Sequence, residues 1–295
     1  MSGSLRTQTE PTGLELYNRA ADAAAARVIE LYSTSFSLAC RLLGLRPRPH
    51  VRNIYALVRV ADEVVDGPCA AAGLDSATTG SVLDDLEAET YRALERGFST
   101  NLVVHAFART ARECGIDQSL IAPFFTSMRT DLTARVHDDR SHDAYVYGSA
   151  EVVGLMCLQV FVNAGAPQPL RPAADLVDGA RRLGAAFQDV NFLRDLEFDA
   201  QGLGRDYLGV DGGRVTRLDV LDRIDADLRA AAAVIPALPA DCRPAVTAAH
   251  DLFASLSIRL RARGRSTDRV SVPASAKAAL AARAWLGRPP REIRS

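Results

Sequence analysis

Acidic residues at four-residue spacing, on two predicted helices, are the main candidates for chemistry in this sequence. Asp62 and Asp66 lie in the segment ADEVVD, and Asn191, Asp195 and Asp199 lie in the segment FQDVNFLRDLEFD. Residues four apart lie on one face of an α-helix, so each set forms a row of oxygen ligands. Mg²⁺ prefers such ligands and is commonly held by a few carboxylates together with substrate phosphates. The two rows therefore predict a magnesium site for a phosphorylated substrate.

The neighbours of these rows strengthen the prediction, because a single DxxxD pair is weak evidence. Arg59 and Tyr55 precede the first row on the same side of the helix, and Gln188 and Arg194 accompany the second. Arginine is a frequent partner of phosphate oxygens. By contrast, the pair Asp139/Asp143 lies in the polar stretch HDDRSHD, which has no apolar face, and is interpreted as solvated.

The elements that carry the rows are predicted to be helical. Alanine is abundant and apolar residues recur at intervals of three and four from Leu14 onward, which is typical of helices. No βαβ alternation, phosphate loop or repeat is visible. The prediction is an all-α, single-domain bundle with a central apolar cavity over residues 14–290, a tail at 1–13 and a covering loop at Gln201–Val215. The predicted helices are Pro49–Asp66, Ser81–Arg96, Leu102–Cys114, Gln118–Ala134, Ala144–Ala164, Ala173–Phe198, Arg217–Ile235, Arg243–Arg263 and Ala274–Leu286, with a loop at Cys69–Gly80.

Composition excludes several classes of protein. The 295 residues carry 35 basic and 36 acidic side chains, so the net charge of −1 argues against a nucleic-acid-binding protein. The five cysteines include no CxxC pair, which argues against a zinc or disulfide framework. The N-terminus has no signal-peptide core, and the longest apolar run, Val152–Val162, is too short to span a bilayer. We expect a cytoplasmic protein with at most a peripheral contact with the inner face of the membrane, and the sequence leaves its oligomeric state open.

Three ordered blocks resemble the squalene/phytoene synthase family of head-to-head prenyl synthases, most closely its bacterial phytoene synthases. YSTSFSLACRLL followed by IYALVRVADEVVD is similar to the family pattern SxSF…YAxxRxxDDxxD. YVYGSAEVVGLM is similar to YxxxxAGxVG, and FQDVNFLRDLEFDAQGLGRDYLG to FQLxNxxRDxxED…GRxYLP. The resemblance runs from about Leu31 to Lys277.

The resemblance implies an isoprenoid-synthase fold, an enzyme that transfers prenyl groups, and about three Mg²⁺ ions bound with diphosphate. Its favoured substrates are two molecules of geranylgeranyl diphosphate, joined without NADPH to give phytoene. Its metal ligands would be Asp62, Asp66, Asn191, Asp195 and Asp199. Its diphosphate contacts would be Arg59, Gln188, Arg194, Arg205 and Tyr207, its first substrate site would be lined by Ser33, Ser35 and Phe36, and Tyr55 and Tyr145 would lie beside the reacting groups.

Four positions depart from the family pattern, namely Glu63, Glu151, Phe198 and Gly209. None removes a principal metal ligand, although a carboxylate at Glu151 could narrow or charge the cavity wall. Two alternatives stay open. One is a synthase that makes squalene, dehydrosqualene or presqualene diphosphate from two farnesyl diphosphates. The other is a non-catalytic protein that binds prenyl chains and assists assembly of a complex.

The only lysine in the chain is Lys277, against 34 arginines. It follows Arg269 by eight residues, and several family members carry a basic pair at this spacing directed at a substrate diphosphate. A compact ammonium suits a point contact with phosphate. Lys277 and Arg269 are therefore predicted to bind substrate.

Overall fold

The computed structural model describes residues 12–133, 139–198, 208, 215–262 and 270–293, and within these ranges its regular structure is entirely helical. This confirms the all-α prediction. The helices are α1 (Gly13–Tyr32), α2 (Thr34–Arg41), α3 (Arg48–Asp66), α4 (Pro68–Ala71), α5 (Ser76–Arg96), α6 (Leu102–Cys114), α7 (Gln118–Thr133), α8 (Asp139–Val146), α9 (Val152–Asn163), α10 (Ala174–Phe198), α11 (Arg217–Val234), α12 (Arg243–Ala262) and α13 (Ala274–Trp285).

Local capping explains where several helices begin and end. Thr12 and Glu15 form a capping box at the start of α1, which begins at Gly13, the last residue of the predicted tail. Gly67 follows α3 with φ of +138°, a backbone conformation that side-chain-bearing residues rarely adopt. The predicted loop at Cys69–Gly80 was too long. Asp75 caps the next helix by accepting a hydrogen bond from Thr78 N at 2.8 Å, so α5 begins at Ser76.

The predicted helix Ala144–Ala164 is interrupted by a π-helical turn, Tyr147–Glu151, between α8 and α9. Close backbone contact accompanies this turn. A Cβ atom on Gly154 would lie 2.6 Å from Ala180 O, and one on Gly184 would lie 2.6 Å from Ala150 O. Both glycines are therefore required for the π turn and α9 to approach α10 this closely.

Two large apolar clusters form most of the described core, beside two smaller ones. The first is built by α3, α5, α6, α7 and α9, with side chains such as Leu57, Phe107 and Phe125 almost fully buried. The second is built by α10, α11 and α12, for example by Val190 and Leu228. Burial of each large apolar side chain contributes about 1.5–3 kcal/mol. Because α9 packs against both α3 and α10, it joins the two helices that carry the acidic rows.

One stretch, Ser141–Asn163, is long and apolar enough by composition to cross a membrane, so counting only the run Val152–Val162 underestimated it. Core helices of soluble proteins pass the same test. Here the stretch contains the π turn with Glu151, and it packs against α7 and α10.

Candidate active site

The acidic row of α3 is paired with its own arginine. Arg59 Nη1 donates to Asp62 Oδ2 at 2.8 Å, and Arg59 Nη2 pairs with Glu63. The guanidinium carbon also lies 4.7 Å above the ring of Tyr32, at the end of α1. A cation over an aromatic face and between two carboxylates is held in one position. Asp66 follows one turn later, on the exposed end of the helix.

The row of α10 is also paired with an arginine. Arg194 Nη2 donates to Asp195 Oδ2 at 2.6 Å, and both side chains are about one-fifth exposed. Gln188 and Asn191 are half-buried on the preceding turns. The structure thus places an arginine beside a carboxylate on each of the two helices.

Aromatic rings connect the two rows. The ring of Phe36, on α2, lies 6.1 Å from Tyr55 on α3 and 6.3 Å from Phe187 on α10. Tyr55 lies one turn before Arg59, and Phe187 lies one turn before Asn191, so both helices run from this aromatic cluster toward their acidic residues. The rings of the cluster are apolar, and each of the two helices that lead away from it carries charged residues further along.

Ser33 and Tyr55 organise the base of this cluster. Ser33 Oγ caps α2 by accepting a hydrogen bond from Phe36 N at 3.1 Å. Burial raises the pKa of Tyr55, while Arg59 and a hydrogen bond with Ser33 act in the opposite direction. The phenol therefore stays neutral at physiological pH, with its ring against Phe36.

A small pocket with a cavity volume of about 20 Å³ lies between α2, α12 and α13 and opens to solvent. Its polar end is formed by Lys277 Nζ, which donates to Ser35 Oγ at 2.9 Å. The rest of its wall is apolar and includes Phe36, Leu252 and Phe253. The structure therefore brings together Ser35 and Lys277, two predicted substrate contacts that are 242 residues apart.

Tyr145 lies in the second core cluster, away from solvent. Its hydroxyl donates to Asp131 Oδ2 at 2.8 Å, and its ring lies 6.1 Å from Phe192 on α10. The side chain is thus fixed at both ends, beside the helix that carries the second row.

The carboxylate at Glu151, which the sequence marked as a departure, is neutralised. Glu151 Oε2 accepts a hydrogen bond from Arg181 Nε at 2.6 Å, and Arg181 also lies over the ring of Tyr147. Glu151 therefore adds little uncompensated charge to the wall around the π turn.

The donor atoms fit a hard cation, although they do not form a finished metal centre. Among the described residues, no three His, Cys, Asp or Glu side chains lie close enough together to hold a metal. Asp62, Asp66, Asn191 and Asp195 nevertheless offer oxygen atoms alone, as Mg²⁺ prefers. The arginines beside Asp62 and Asp195 show that these carboxylates attract cations in this structure.

Some predictions fall outside the described residues. These are Asp199, Arg205, Tyr207 and Arg269, together with most of the loop at Gln201–Val215. Within that loop, Leu208 is buried in the second core cluster.

Three contacts of the site were not predicted. Phe253 of α12 stacks on Phe187 with ring centroids 3.7 Å apart, Tyr32 lies beneath Arg59, and Asp131 binds Tyr145. Tyr32 directly precedes the Ser33–Phe36 segment and could have been suspected from that position. Phe253 and Asp131 come from distant helices, and nothing in their local sequence marks them.

Comparison with known proteins agrees with the geometry. The family model described as squalene/phytoene synthase matches residues 29–212. The 15-cis-phytoene synthase of a Paracoccus species is 28% identical over 270 residues, covering 84% of this chain and 85% of the relative. A phytoene synthase of Rhodobacter capsulatus is 30% identical, covering 78% of this chain and 70% of the relative. A crystal structure of a dehydrosqualene synthase in complex with ligand superposes with a TM-score of 0.74 at 23% identity, covering 91% of this chain and 96% of that chain.

Proposed function

Because the chain belongs to the squalene/phytoene synthase family and is a prenyltransferase, we propose that it condenses two molecules of geranylgeranyl diphosphate head to head to give phytoene. The observation that carries the proposal is the aromatic cluster around Phe36, from which α3 and α10 both lead to acidic rows. An apolar interior with charged rims suits an isoprenoid chain that ends in diphosphate. The catalytic domain is proposed to span residues 14–290.

The charged residues of the rim would bind the diphosphates. Arg59 and Arg194 already lie beside Asp62 and Asp195, and both guanidinium groups are partly exposed. When substrate arrives with Mg²⁺, we expect each arginine to exchange its carboxylate for a diphosphate oxygen. Asp62, Asp66, Asn191, Asp195 and Asp199 would then hold the ions, which supply the positive charge that makes diphosphate a better leaving group.

A second group of residues would bind substrate on the other side of Phe36, namely Lys277, Ser35 and Ser33. The ammonium of Lys277 and the hydroxyl of Ser35 are 2.9 Å apart at one end of an apolar pocket. A diphosphate there could take a point charge from Lys277 and a hydrogen bond from Ser35. Gln188, Arg205, Tyr207 and Arg269 remain proposed contacts of the same substrates.

The reaction proceeds through allylic cations. Departure of diphosphate from one substrate leaves a cation, which the double bond of the second substrate attacks with loss of a proton. The product is a cyclopropylcarbinyl diphosphate. A second ionisation, rearrangement of the ring and loss of another proton give phytoene without a reductant.

The apolar residues would protect these cations from water. Phe36, Tyr55, Phe187 and Phe253 present a wall of aromatic rings. Ring faces also stabilise a nearby positive charge electrostatically. Tyr55 suits this role because its raised pKa keeps the phenol neutral, and Tyr145 is proposed for the same role beside α10.

Chromatography of the products tests the proposal. Purified protein is supplied with Mg²⁺ and either geranylgeranyl or farnesyl diphosphate, without NADPH, and the extracted lipids are separated. The expected result is a C40 hydrocarbon from the C20 substrate, with pyrophosphate release that EDTA abolishes. A C30 product from the C15 substrate alone would replace the phytoene assignment, and no release from either substrate would leave only a prenyl-binding role. The predicted location stays the cytoplasm, with at most a peripheral contact with the inner face of the membrane.

A further inference from the structure

The C-terminal end of α13 exposes two large apolar side chains side by side. Trp285 is 70% exposed and Leu286 is 68% exposed. Trp285 is the only tryptophan in the chain. We call residues 285–290 the α13 tip; besides these two side chains it includes Pro289, which is also exposed.

The tip is held in place on both sides, so its exposure does not come from fraying. On the helical side, Ala281 and Ala284 are buried, and Gly287 N and Arg288 N donate to Ala284 O and Arg283 O at 3.0 and 3.2 Å. Beyond the tip, Arg291 N donates to the buried carboxylate of Asp251 at 2.8 Å.

The same carboxylate fixes α13 itself, because Arg283 Nη1 donates to Asp251 Oδ2 at 2.8 Å. Ile293, shortly after the tip, is buried in the second core cluster. The fold therefore presents Trp285 and Leu286 to solvent on a rigid support.

The α13 tip continues the wall of the Ser35–Lys277 pocket. Lys277 and Ala281 line that pocket, and Trp285 lies one turn further along the same side of α13.

The chemistry of the tip favours a lipid surface as its partner. Tryptophan is enriched where proteins meet the membrane interface, because its ring is apolar and its N–H is polar. The exposed Arg288 and Arg291 flank the two apolar side chains beside the exposed Glu292, while the nearby carboxylate of Asp251 is buried and paired with Arg283. Each arginine near an anionic membrane surface contributes about 1 kcal/mol to binding.

We propose that the α13 tip docks the protein on an anionic lipid bilayer, with Trp285 and Leu286 inserted at the headgroup level. This inference deepens the proposed function by placing the pocket wall next to the membrane in which prenyl chains dissolve. It rests on the proposed function only in assuming that the substrate is a prenyl chain. Docking itself is measured without any substrate.

Fluorescence of Trp285 tests docking directly, because no other tryptophan contributes. The full-length protein is titrated with vesicles of equal parts phosphatidylglycerol and phosphatidylcholine, and in parallel with vesicles of phosphatidylcholine alone. We expect a blue shift of the emission with the anionic vesicles, reversal by high salt, and quenching by lipids brominated near the headgroup.

Variants of the tip identify the surface. Leu286→Ser should weaken partitioning at least about tenfold, since burial of a leucine side chain contributes 1.5 kcal/mol or more. Arg288→Glu should weaken it by more than about fivefold, given the contribution of one arginine. The matched controls are Leu170→Ser, at a leucine that is 64% exposed elsewhere, and Arg229→Glu, at an exposed arginine of α11; both should bind like wild type.

Two results would overturn the inference. One is an unchanged emission spectrum with both kinds of vesicle. The other is a tryptophan emission that is already blue-shifted in the free protein and becomes red-shifted on dilution. If sedimentation velocity then shows a dimer that Leu286→Ser dissociates, the tip would bind a second copy of the chain. Activity toward prenyl diphosphates in detergent is measured separately, so failure of docking is distinguishable from failure of the proposed function.

Discussion

The acidic rows of α3 and α10 share a four-residue spacing but are held by different means. On α3, Arg59 touches Asp62 and Glu63 and lies over Tyr32, so the row is fixed by its own side-chain contacts. On α10, Arg194 contacts Asp195, and the helix itself is positioned through Gly184, which meets the backbone of the π turn.

The two acidic rows of the candidate site are therefore positioned in two different ways. The α3 row is ordered by ion pairs of Arg59 with carboxylates of the same helix and by the contact of Arg59 with the Tyr32 ring of α1. The α10 row depends on where its whole helix lies, and its last predicted ligand, Asp199, falls outside the described residues. Changes on α3 should therefore act on binding and charge, whereas changes around α10 should also act through packing.

Removal of one ligand charge from either row should have the largest effect. Asp62→Asn and Asp195→Asn should each lower turnover more than about 100-fold, because loss of a first ligand exceeds the 10–100-fold cost typical of its supporting residues. Stability should change by less than about 1 kcal/mol, since both ion pairs are partly exposed. Pyrophosphate release and urea unfolding measure the two effects. Asp143→Asn, from the pair interpreted as solvated, is the control, and equal activity in all three variants would contradict the ligand assignment.

The arginines should separate the two rows. Arg59→Gln removes the cation that contacts two carboxylates and Tyr32, and should lower kcat/KM by about 30–100-fold, as expected for loss of charge-assisted hydrogen bonds worth about 2–3 kcal/mol. Arg194→Gln affects one carboxylate and should cost about tenfold. Steady-state kinetics with geranylgeranyl diphosphate decides the order. Arg181→Gln, which breaks the remote pair with Glu151, serves as the control, and a greater loss for Arg194→Gln than for Arg59→Gln would reverse the comparison.

Packing at α10 can be broken without touching a charged group. The Cβ atom of Gly184→Ala would meet Ala150 O at 2.6 Å, so α10 must shift, and we expect a loss of about 1–3 kcal/mol in the free energy of unfolding. Gly80→Ala is the control within α5, where the new Cβ lies 3.8 Å from Leu132 Cδ1 and helix propensity should add up to about 1 kcal/mol. Thermal and urea unfolding measure both. If Gly184→Ala were as stable as Gly80→Ala, close approach would not be what positions the second row.

Sequence was sufficient where helical spacing carries the information. Local periodicity and end signals predict both acidic rows, their arginines and the bounds of α6. The predicted start of α10 differs from the observed one by a single residue. The π turn was not predicted, and it lies where Gly184 and Gly154 make close contacts with backbone atoms of other elements, which local periodicity does not reveal. The start of α5 was placed late because its first turn, SATTG, consists of small residues and depends on the cap at Asp75.

Contacts between residues that are distant in sequence could not be predicted either. Phe253 lies 66 positions after its stacking partner Phe187, and no periodic pattern specifies which faces of α10 and α12 meet. The sequence predicts Lys277 and Ser35 separately as substrate contacts. It does not predict the hydrogen bond between them, because a family resemblance identifies residues but not their contacts.

The smallest effect is expected for substitution of Lys277. This experiment tests whether a third cationic group binds diphosphate in addition to the arginines beside the two acidic rows. Lys277→Arg keeps the charge but replaces a compact ammonium with a wider guanidinium beside Ser35 and Phe36, so KM should rise about threefold to tenfold with kcat nearly unchanged. Ser35→Ala should reproduce that rise without changing charge, because it removes the hydroxyl that holds the ammonium. Arg283→Lys, on the same helix but bound to Asp251, is the control for a general disturbance of α13. Wild-type KM in both Lys277→Arg and Ser35→Ala would mean that the two rows bind the diphosphates without a third group, and Lys277 would then be a surface lysine that closes one end of a pocket.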